Sequence, residues 1–325
     1  MARRSMQKRP SKLKPIERTY LFEIPVGDSY LDSGFVLSFM NRQMMKQGME
    51  YIIESIELFG APDNEISVSV QSLSKNWIST NSWVKGFAHW KDQQDEFLRE
   101  AGQESRKAAY NDFKIYYDID HTDSNSLLPA NTVTVLGAGA TDPSVRHAWI
   151  YSEVVVPNDG GIAGNTNEYN LHMLGPDDAG SDRKGLITNY ALSRSRPEAQ
   201  DPNQVAPSND GGLYQDMVDV GETLEDVGEN VTTHNFSPPY LVGDLSTFEW
   251  YPGGANNPLA GTSTRDILTV RGGTSGFNTD SMGAFSALAG LVKFQNTGDS
   301  PVVVRVTWAA GEYKGIMARP MQDVN

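Results

Sequence analysis

The sequence predicts a mainly β protein, a single jelly roll (an antiparallel β-sandwich) with one or two helices in its connections. Three observations lead to this fold class. Short segments with alternating apolar and polar residues recur along the 325-residue chain, as half-buried strands require. The 30 glycines and 17 prolines concentrate between these segments, where they mark turns. Only one segment has the spacing of a long helix, whereas an α/β fold needs a helix between successive strands.

The strand candidates are recognised by β-branched and aromatic residues at alternate positions. The clearest are 49–59 (MEYIIESIELF) and 66–73 (ISVSVQSL), and the turn residues at 60–64 predict a hairpin between them. The others, in chain order, are 20–25, 112–118, 131–136, 147–157, 167–174, 185–193, 240–250, 265–271, 286–296 and 301–309. Segments 157–166 and 197–212 are rich in Gly, Asn, Asp and Pro, which predicts exposed loops.

The clear helix candidate spans residues 82–100. Five side chains recur at the spacing of one helix face, at Trp83, Phe87, Trp90, Gln94 and Phe97. Thr80, Asn81 or Ser82 can cap the start, and Gly102 can end the helix. We interpret the aromatic stripe as a face packed on the sheet. A shorter helix is predicted at 35–47 (FVLSFMNRQMMKQ).

The first eighteen residues differ from the rest of the chain in charge. They carry seven cations opposed only by Glu17, namely Arg3, Arg4, Lys8, Arg9, Lys12, Lys14 and Arg18. Residues 19–325 hold 20 basic and 40 acidic residues, a net charge of −20. With few apolar residues and two prolines, the first segment is predicted to be a disordered basic arm. We call residues 1–18 the N-terminal arm and residues 19–325 the body.

A basic arm on an acidic body favours a polyanion as partner, with nucleic acid as the leading candidate. We expect that the body is not the binding surface, because its own field repels phosphate. Short basic N-termini also serve as localisation signals or as solvated ends without a partner. A mitochondrial transit peptide should be amphipathic, and this arm has too few apolar residues to form a face.

Composition excludes several classes of site. The chain has no cysteine, so disulfides, thiolate metal sites and cysteine nucleophiles are ruled out, and five scattered histidines argue against histidine-rich metal sites. No secretory hydrophobic segment follows the basic start, and no run of about 18 apolar residues could span a bilayer. We therefore expect a soluble protein made inside a cell, without membrane insertion.

The densest polar cluster lies at 118–123 (DIDHTD). Asp118, Asp120 and Asp123 beside His121 are candidate ligands for a divalent cation, since carboxylate oxygens suit calcium or magnesium. The alternative is a polar turn that ends the preceding strand candidate. The glycine and the twelfth-position glutamate of an EF-hand loop are both missing. We therefore expect no cofactor beyond this candidate cation.

Catalytic motifs are not evident. The glycines of 272–276 (GGTSG) are not followed by the Lys and Ser/Thr that complete a phosphate-binding loop. His89 and Asp92 can share a helix face, but a metalloprotease helix needs two histidines four residues apart. No Gly-x-Ser-x-Gly motif is present, and we expect no enzyme.

Three segments together resemble a known family. They are 37–51 (LSFMNRQMMKQGMEY), the helix 82–90 (SWVKGFAHW) with the strand 112–116 (DFKIY), and 311–320 (GEYKGIMARP). In this order they are similar to capsid proteins of small circular Rep-encoding single-stranded DNA viruses, especially marine environmental and bacilladnavirus-like ones. The resemblance covers most of the chain in layout, although its motifs are loose and include no catalytic signature.

The resemblance implies a jelly-roll subunit that assembles with its own copies into an icosahedral shell, with the arm facing inward on a single-stranded DNA genome. It further implies a host surface receptor and a location in the virion after assembly inside the host cell, where the nucleus is one candidate compartment. Arms of such proteins are often longer and richer in arginine. In a closed shell of about 60 copies, seven cations each supply roughly 420 charges against thousands of phosphates. Other cations must then supply the rest.

Two rival functions follow from the same residues. A carbohydrate-binding or hydrolytic β-sandwich could use Trp149, Trp250 and Tyr251 as an aromatic sugar platform, with Asp or Glu pairs as acid and base. A cellular nucleic-acid-binding protein should interleave basic and aromatic residues on a folded surface. The acidic body does not offer that pattern.

Overall fold

Two antiparallel sheets pack face to face around a shared hydrophobic core. A computed structural model describes residues 16–60, 66–109, 112–124, 126–130, 149–157, 166–178, 182–194, 251–255, 257–270 and 278–324. The strands are β1 (Thr19–Ile24), β2 (Gly27–Asp32), β3 (Met49–Gly60), β4 (Ile66–Leu73), β5 (Glu153–Pro157), β6 (Thr166–His172), β7 (Arg183–Gly185), β8 (Thr262–Val270), β9 (Asn278–Met282), β10 (Phe285–Ala287), β11 (Leu291–Asn296), β12 (Val302–Trp308), β13 (Ala310–Gly311), β14 (Gly315–Ile316) and β15 (Ala318–Pro320). The α-helices are α1 (Ser33–Asn41), α2 (Trp77–Glu100), α3 (Ile119–Asp123) and α4 (Leu186–Leu192).

The strand order of the two sheets is that of a jelly roll. The first sheet runs β1–β12–β3, and then β9 and β10 pair with successive parts of β3. The second sheet runs β2–β11–β4–β8. The chain changes sheet at each step between these strands, except from β4 to β8 and from β9 to β10. The predicted fold class is confirmed. The predicted hairpin is wrong, because β3 and β4 belong to opposite sheets.

Alternation along the strands produces the core between the sheets. In β1, Tyr20, Phe22 and Ile24 are buried while the residues between them are exposed. The Trp308 ring from β12 packs edge-on against Tyr20 and Phe22, with ring centroids 6.1 and 6.4 Å apart. Such edge-to-face pairs stabilise a core beyond the area that they bury.

The long connection between β4 and β8 adds a second core outside the second sheet. It contributes α2, α3, α4 and a three-stranded sheet of β5, β6 and β7. Trp83 and Phe113 from this connection are buried with Tyr30 and Leu291 of the second sheet. The second sheet is therefore covered on both faces, which explains why β2 lacks the clean alternation of β1.

Helix α2 begins five residues before its predicted start. The Asn76 side chain caps it by accepting the backbone N–H of Ser79, at 2.8 Å. The prediction that the aromatic stripe packs inward is confirmed for Trp83 and Trp90, which are buried against Phe113. It is wrong for Phe97, which is 45% exposed because the C-terminal part of the helix extends beyond the core.

Two further helix and strand predictions need correction. The helix predicted at 35–47 spans Ser33–Asn41 and ends there, because Arg42 adopts the left-handed conformation at a φ of 49°. The strand predicted at 185–193 is wrong, since Gly185 ends β7 and the next seven residues form α4.

The strand predicted at 286–296 is two strands in different sheets. Phe285–Ala287 pairs with β3 of the first sheet, and Leu291–Asn296 pairs with β2 and β4 of the second. Between them, Ala289 and Gly290 have φ values of 52° and 67°, and this left-handed turn carries the chain across the sandwich.

The remaining strand predictions divide into three groups. Segments 20–25, 167–174, 265–271 and 301–309 correspond to β1, β6, β8 and β12, so these predictions are confirmed. Segment 112–118 is extended but forms only an isolated bridge from Tyr116 to His172, and of 147–157 only the last five residues form a strand. Segments 131–136 and 240–250 lie outside the described residues, as do 197–212 and the interior of 157–166.

Residues 126–130 cover the outer edges of β1 and β2. The Ala130 N–H donates to the Leu21 carbonyl, and the Leu127 N–H donates to the Tyr30 carbonyl, both at 2.7 Å. Bridges from Phe22 to Pro129 and from Tyr30 to Ser126 extend this pairing. Covered edges cannot add a strand from another chain. Among the helices described, none is long and apolar enough to cross a membrane.

Candidate nucleic-acid interface

The N-terminal arm joins the body at residues 16–18, which are held from both sides. The Asn41 side chain at the end of α1 accepts the Glu17 N–H at 2.9 Å and donates to the Glu17 carbonyl at 3.1 Å. The Ile16 side chain lies against Gly315, where an added Cβ would approach it to 2.5 Å. The path of the chain out of the body is therefore set by the end of α1 and by the hairpin of β13 and β14.

Arg18 is the predicted nucleic-acid-binding cation that the structure describes. Its guanidinium donates to the Trp308 carbonyl at 2.8 Å and lies 3.5 Å from the Glu54 carboxylate. The Trp308 N–H returns a bond to the Arg18 carbonyl at 2.9 Å. Arg18 thus continues the pairing of β1 with β12. The other predicted cations lie outside the described residues, namely Arg3, Arg4, Lys8, Arg9, Lys12 and Lys14.

Two loops meet beside this exit, residues 42–46 after α1 and residues 312–314 at the tip of the β13–β14 hairpin. The Lys46 N–H donates to the Tyr313 hydroxyl at 3.0 Å, and the Lys314 ammonium donates to the Met44 carbonyl. The Tyr51 hydroxyl fixes the Lys46 carbonyl at 2.6 Å. Both loops fall within segments that carry the family resemblance, but no sequence spacing predicted that they would meet.

The candidate metal ligands do not converge. Asp118 caps α3 by accepting the His121 N–H, and its other oxygen accepts the Lys293 ammonium at 3.0 Å. Asp123 forms a two-point pair with Arg183, at 2.5 and 3.0 Å, while Asp120 is exposed. Within the described ranges, no group of three or more His, Asp or Glu residues is arranged to hold a metal ion.

Protein cations bind these carboxylates instead. Burial acts to lower the pKa of Lys293, but its bonds to Asp28 and Asp118 outweigh burial and raise it. The Arg183 guanidinium lowers the pKa of Asp123. Two of the three candidate carboxylates, Asp118 and Asp123, are thus paired with protein cations, and Ile119–Asp123 forms the short helix α3.

His121 lies next to Ser126 but in the wrong tautomer for a catalytic pair. Its Nδ1 accepts the Tyr117 N–H at 3.0 Å, so in the neutral ring the proton is on Nε2. Nε2 lies 3.1 Å from the Ser126 hydroxyl and must donate to it rather than accept its proton. The ring is buried and stacked on Tyr30 at 4.4 Å. This arrangement stabilises the fold and does not activate a nucleophile.

Two of the three aromatic residues of the sugar platform lie within the described residues, and both are buried. Trp149 is 8% exposed and Tyr251 is 1% exposed, while Trp250 lies outside the described residues. The Trp149 indole N–H donates to Asp32 at 3.0 Å. Neither of the two described rings presents a face on which a sugar could stack.

Sequence reasoning missed an interior carboxylate network around Asp32, which is fully buried. Asp32 accepts the Phe35 N–H, the Gln47 amide and the Trp149 indole N–H, at 3.1, 2.8 and 3.0 Å. Burial raises the pKa of Asp32 to about 6, although its three donors act to lower it. Gln47 also pairs with both backbone groups of Ile115, at 2.6 and 2.9 Å. The amide side chain thus takes the place of a neighbouring strand.

Gln93 of α2 repeats this pairing at the edge of β5. Its amide donates to the Val155 carbonyl at 2.6 Å and accepts the Val155 N–H at 3.0 Å. Beyond β5, a cavity of about 440 Å³ lies between the three-stranded sheet and α4. Its walls are mainly apolar, and its lysine, Lys184, is paired with Asp177 at 3.1 Å. That pairing leaves the lysine poorly placed to bind an anion.

Comparisons with known proteins found no matching family model, no matching curated protein and no matching solved structure.

Proposed function

We propose that this protein is a capsid subunit that assembles with its own copies into an icosahedral shell and packages single-stranded DNA through its N-terminal arm. The mature location would be the virion, after assembly inside the host cell. The arm would bind phosphates by releasing counterions, without reading base edges. No enzymatic step and no resident cofactor is part of this proposal.

The observation that carries the proposal is the position of the arm on a jelly roll. Jelly rolls serve as capsid subunits but also as lectins, so the fold alone does not decide between them. The cations are concentrated in a segment that continues directly from β1, an edge strand of the first sheet. Nucleic acid could therefore be bound on one side of a shell while the acidic body forms the wall.

The outer face of the first sheet is a candidate for subunit or genome contact. Leu21 and Val303 are 40% and 38% exposed there. Arg305 lies between β1 and β3, where it pairs with Glu57 and covers the Phe59 ring at 5.3 Å. Residues 126–130 cover the outer edges of β1 and β2, which blocks strand pairing between subunits at those edges. We therefore expect subunits to meet at the outer face through side chains and loops.

Deleting residues 2–15 tests the proposal. This boundary spares Ile16, Glu17 and Arg18, which are bonded to the body. We expect the deleted protein to keep its fold and to form particles that contain much less nucleic acid. Negative-stain microscopy reports the particles, and the ratio of absorbance at 260 and 280 nm reports their nucleic acid.

A matched control separates charge from length. Six substitutions to glutamine in the full-length arm, at Arg3, Arg4, Lys8, Arg9, Lys12 and Lys14, should reproduce the loss. Particles that package normally without these charges would contradict the role of the arm. A protein that stays monomeric over a wide range of salt and calcium concentrations would contradict the capsid assignment itself.

A further inference from the structure

Three exposed cations surround the point where the N-terminal arm leaves the body. Arg42 and Lys46 lie on the loop after α1, and Lys314 lies at the tip of the β13–β14 hairpin. The same two elements hold residues 16 and 17 through Asn41 and Gly315. We call Arg42, Lys46 and Lys314 the exit collar.

The collar is rigidly built. The Lys46 N–H donates to Tyr313, and the Lys314 ammonium donates to the Met44 carbonyl, so each loop is bonded to the other. One of the three ammonium protons of Lys314 is used in this bond, which leaves two for a ligand. These bonds hold the loop that carries Arg42 and Lys46 beside the hairpin tip that carries Lys314.

Two members of the collar occupy unusual backbone positions. Arg42 and Lys314 have φ values of 49° and 52°, in the left-handed region where glycine or asparagine has the lowest cost. Long cationic side chains at both positions are not explained by the backbone. A requirement for positive charge at these two places explains them.

Among the described residues, the collar cations form no close ion pair, although the charge of Lys46 acts on the buried Asp112, where it opposes the burial that raises the pKa of that carboxyl. In the part of the chain that the structure describes, Arg42, Lys46 and Lys314 have no carboxylate within salt-bridge distance. Glu17 at the end of the arm and Glu312 on the hairpin are exposed beside the collar, so they offset part of its three positive charges. The three cations contrast with a body whose net charge is −20.

We infer that the exit collar is a second phosphate-binding site, which takes the backbone of a single-stranded nucleic acid where it leaves the N-terminal arm. The inference rests on the proposed function, since it needs the arm to bring the nucleic acid to this place. It supplies cations that the arm lacks, three on every subunit. The site contacts phosphates only, so it is not selective for base sequence.

The test is the salt dependence of binding to a fluorescent oligothymidylate. Full-length subunits are titrated below the concentration at which particles form, and anisotropy is read from 50 to 300 mM NaCl. The collar variant carries Arg42→Gln, Lys46→Gln and Lys314→Gln. Each phosphate contact on a single strand contributes about 0.7 to the slope of log K against log salt. Losing three contacts should lower the slope by about 2.

The matched control removes the same charge elsewhere. Lys85→Gln, Lys91→Gln and Arg106→Gln change two lysines and one arginine on or just after α2, none of them in a salt bridge among the described residues. We expect this variant to keep the wild-type slope. Thermal unfolding of both triple variants checks that the body is intact, which is needed because Lys85 and Lys91 are partly buried.

The outcomes separate the two proposals. An unchanged slope in the collar variant, with binding lost when the six arm cations are replaced by glutamine, overturns the collar and leaves the proposed function standing. Equal losses in the collar and control variants also overturn the collar, because they report net charge alone. A wild-type protein that does not bind the oligonucleotide overturns both proposals.

Discussion

Replacing Gln47 by methionine removes three hydrogen bonds from the interior while keeping a side chain of similar length and volume. Gln47 is fully buried and bonds both backbone groups of Ile115 and one oxygen of Asp32. A buried polar group left without a partner costs about 1–3 kcal/mol, and a bond to a charged acceptor contributes about 1.5–3 kcal/mol. The lower ends of these ranges give a loss of about 4 kcal/mol in the free energy of unfolding.

Gln93→Met is the matched control. Gln93 makes the same two-point pairing with Val155 but contacts no carboxylate, and both residues are only partly buried. Water can replace its bonds, so we expect a loss of about 1 kcal/mol. Urea unfolding of the wild type and the two variants, followed by tryptophan fluorescence, measures the difference.

The cost of Gln47→Met should also depend on pH. The pKa of Asp32 is raised from 3.8 to about 6 in the folded protein, so the ionised carboxyl opposes folding above pH 6 and this penalty vanishes as the pH falls toward 3.8. Because the Gln47 bond lowers this pKa, its loss raises the pKa further and enlarges the penalty. The variant should therefore lose more stability at pH 8 than at pH 5. Equal costs for the two glutamines, or a cost independent of pH, would refute this reasoning.

Three further substitutions test the electrostatics of the body. Lys293→Met leaves the partly buried Asp28 and Asp118 without their shared ammonium, and should lower the free energy of unfolding by about 2 kcal/mol in urea titrations. Asp123→Asn, which breaks an exposed pair, should unfold close to wild type, and similar losses for both variants would contradict the role of burial. Burial lowers the pKa of His172 below 6.5, so its contribution to stability is present above pH 6.5 and is lost as the pH falls. The melting temperature should accordingly fall less for His172→Gln than for the wild type between pH 7 and pH 5. Equal falls in the two proteins would exclude His172 as the cause of the acid destabilisation.

Strand periodicity predicts most of the jelly roll, because each strand carries its own alternation. Phe22 and Val304 are buried where the pattern places them, and the stripe of α2 is buried as far as Trp90. The sheet to which a strand belongs is a property of the whole chain. The crossing at Ala289 and Gly290 could not be read from an apolar run that continues through both residues.

The candidate site was less predictable, since it depends on residues far apart in sequence. Gln47 is the last residue of the helix predicted at 35–47, but its amide bonds Ile115, 68 residues later. The carboxylates of 118–123 looked like ion ligands because Lys293, which binds Asp118, is distant in the chain. Arg42 and Lys314 are each unremarkable in sequence and acquire meaning only where the two loops meet.

The pairing of the first and last long strands constrains how the protein is made. The side chains of Thr19 and Thr307 meet across 288 residues, so β1 lacks β12, its neighbour in the sheet, until the residues of β12 have been synthesised. Such long-range pairing folds slowly. The cationic N-terminus thus emerges from the ribosome well before the sandwich can close. Under the proposed function, nucleic acid would reach the arm during that interval, before β1 and the exit collar have formed, so folding of the body and binding of nucleic acid would not need a fixed order.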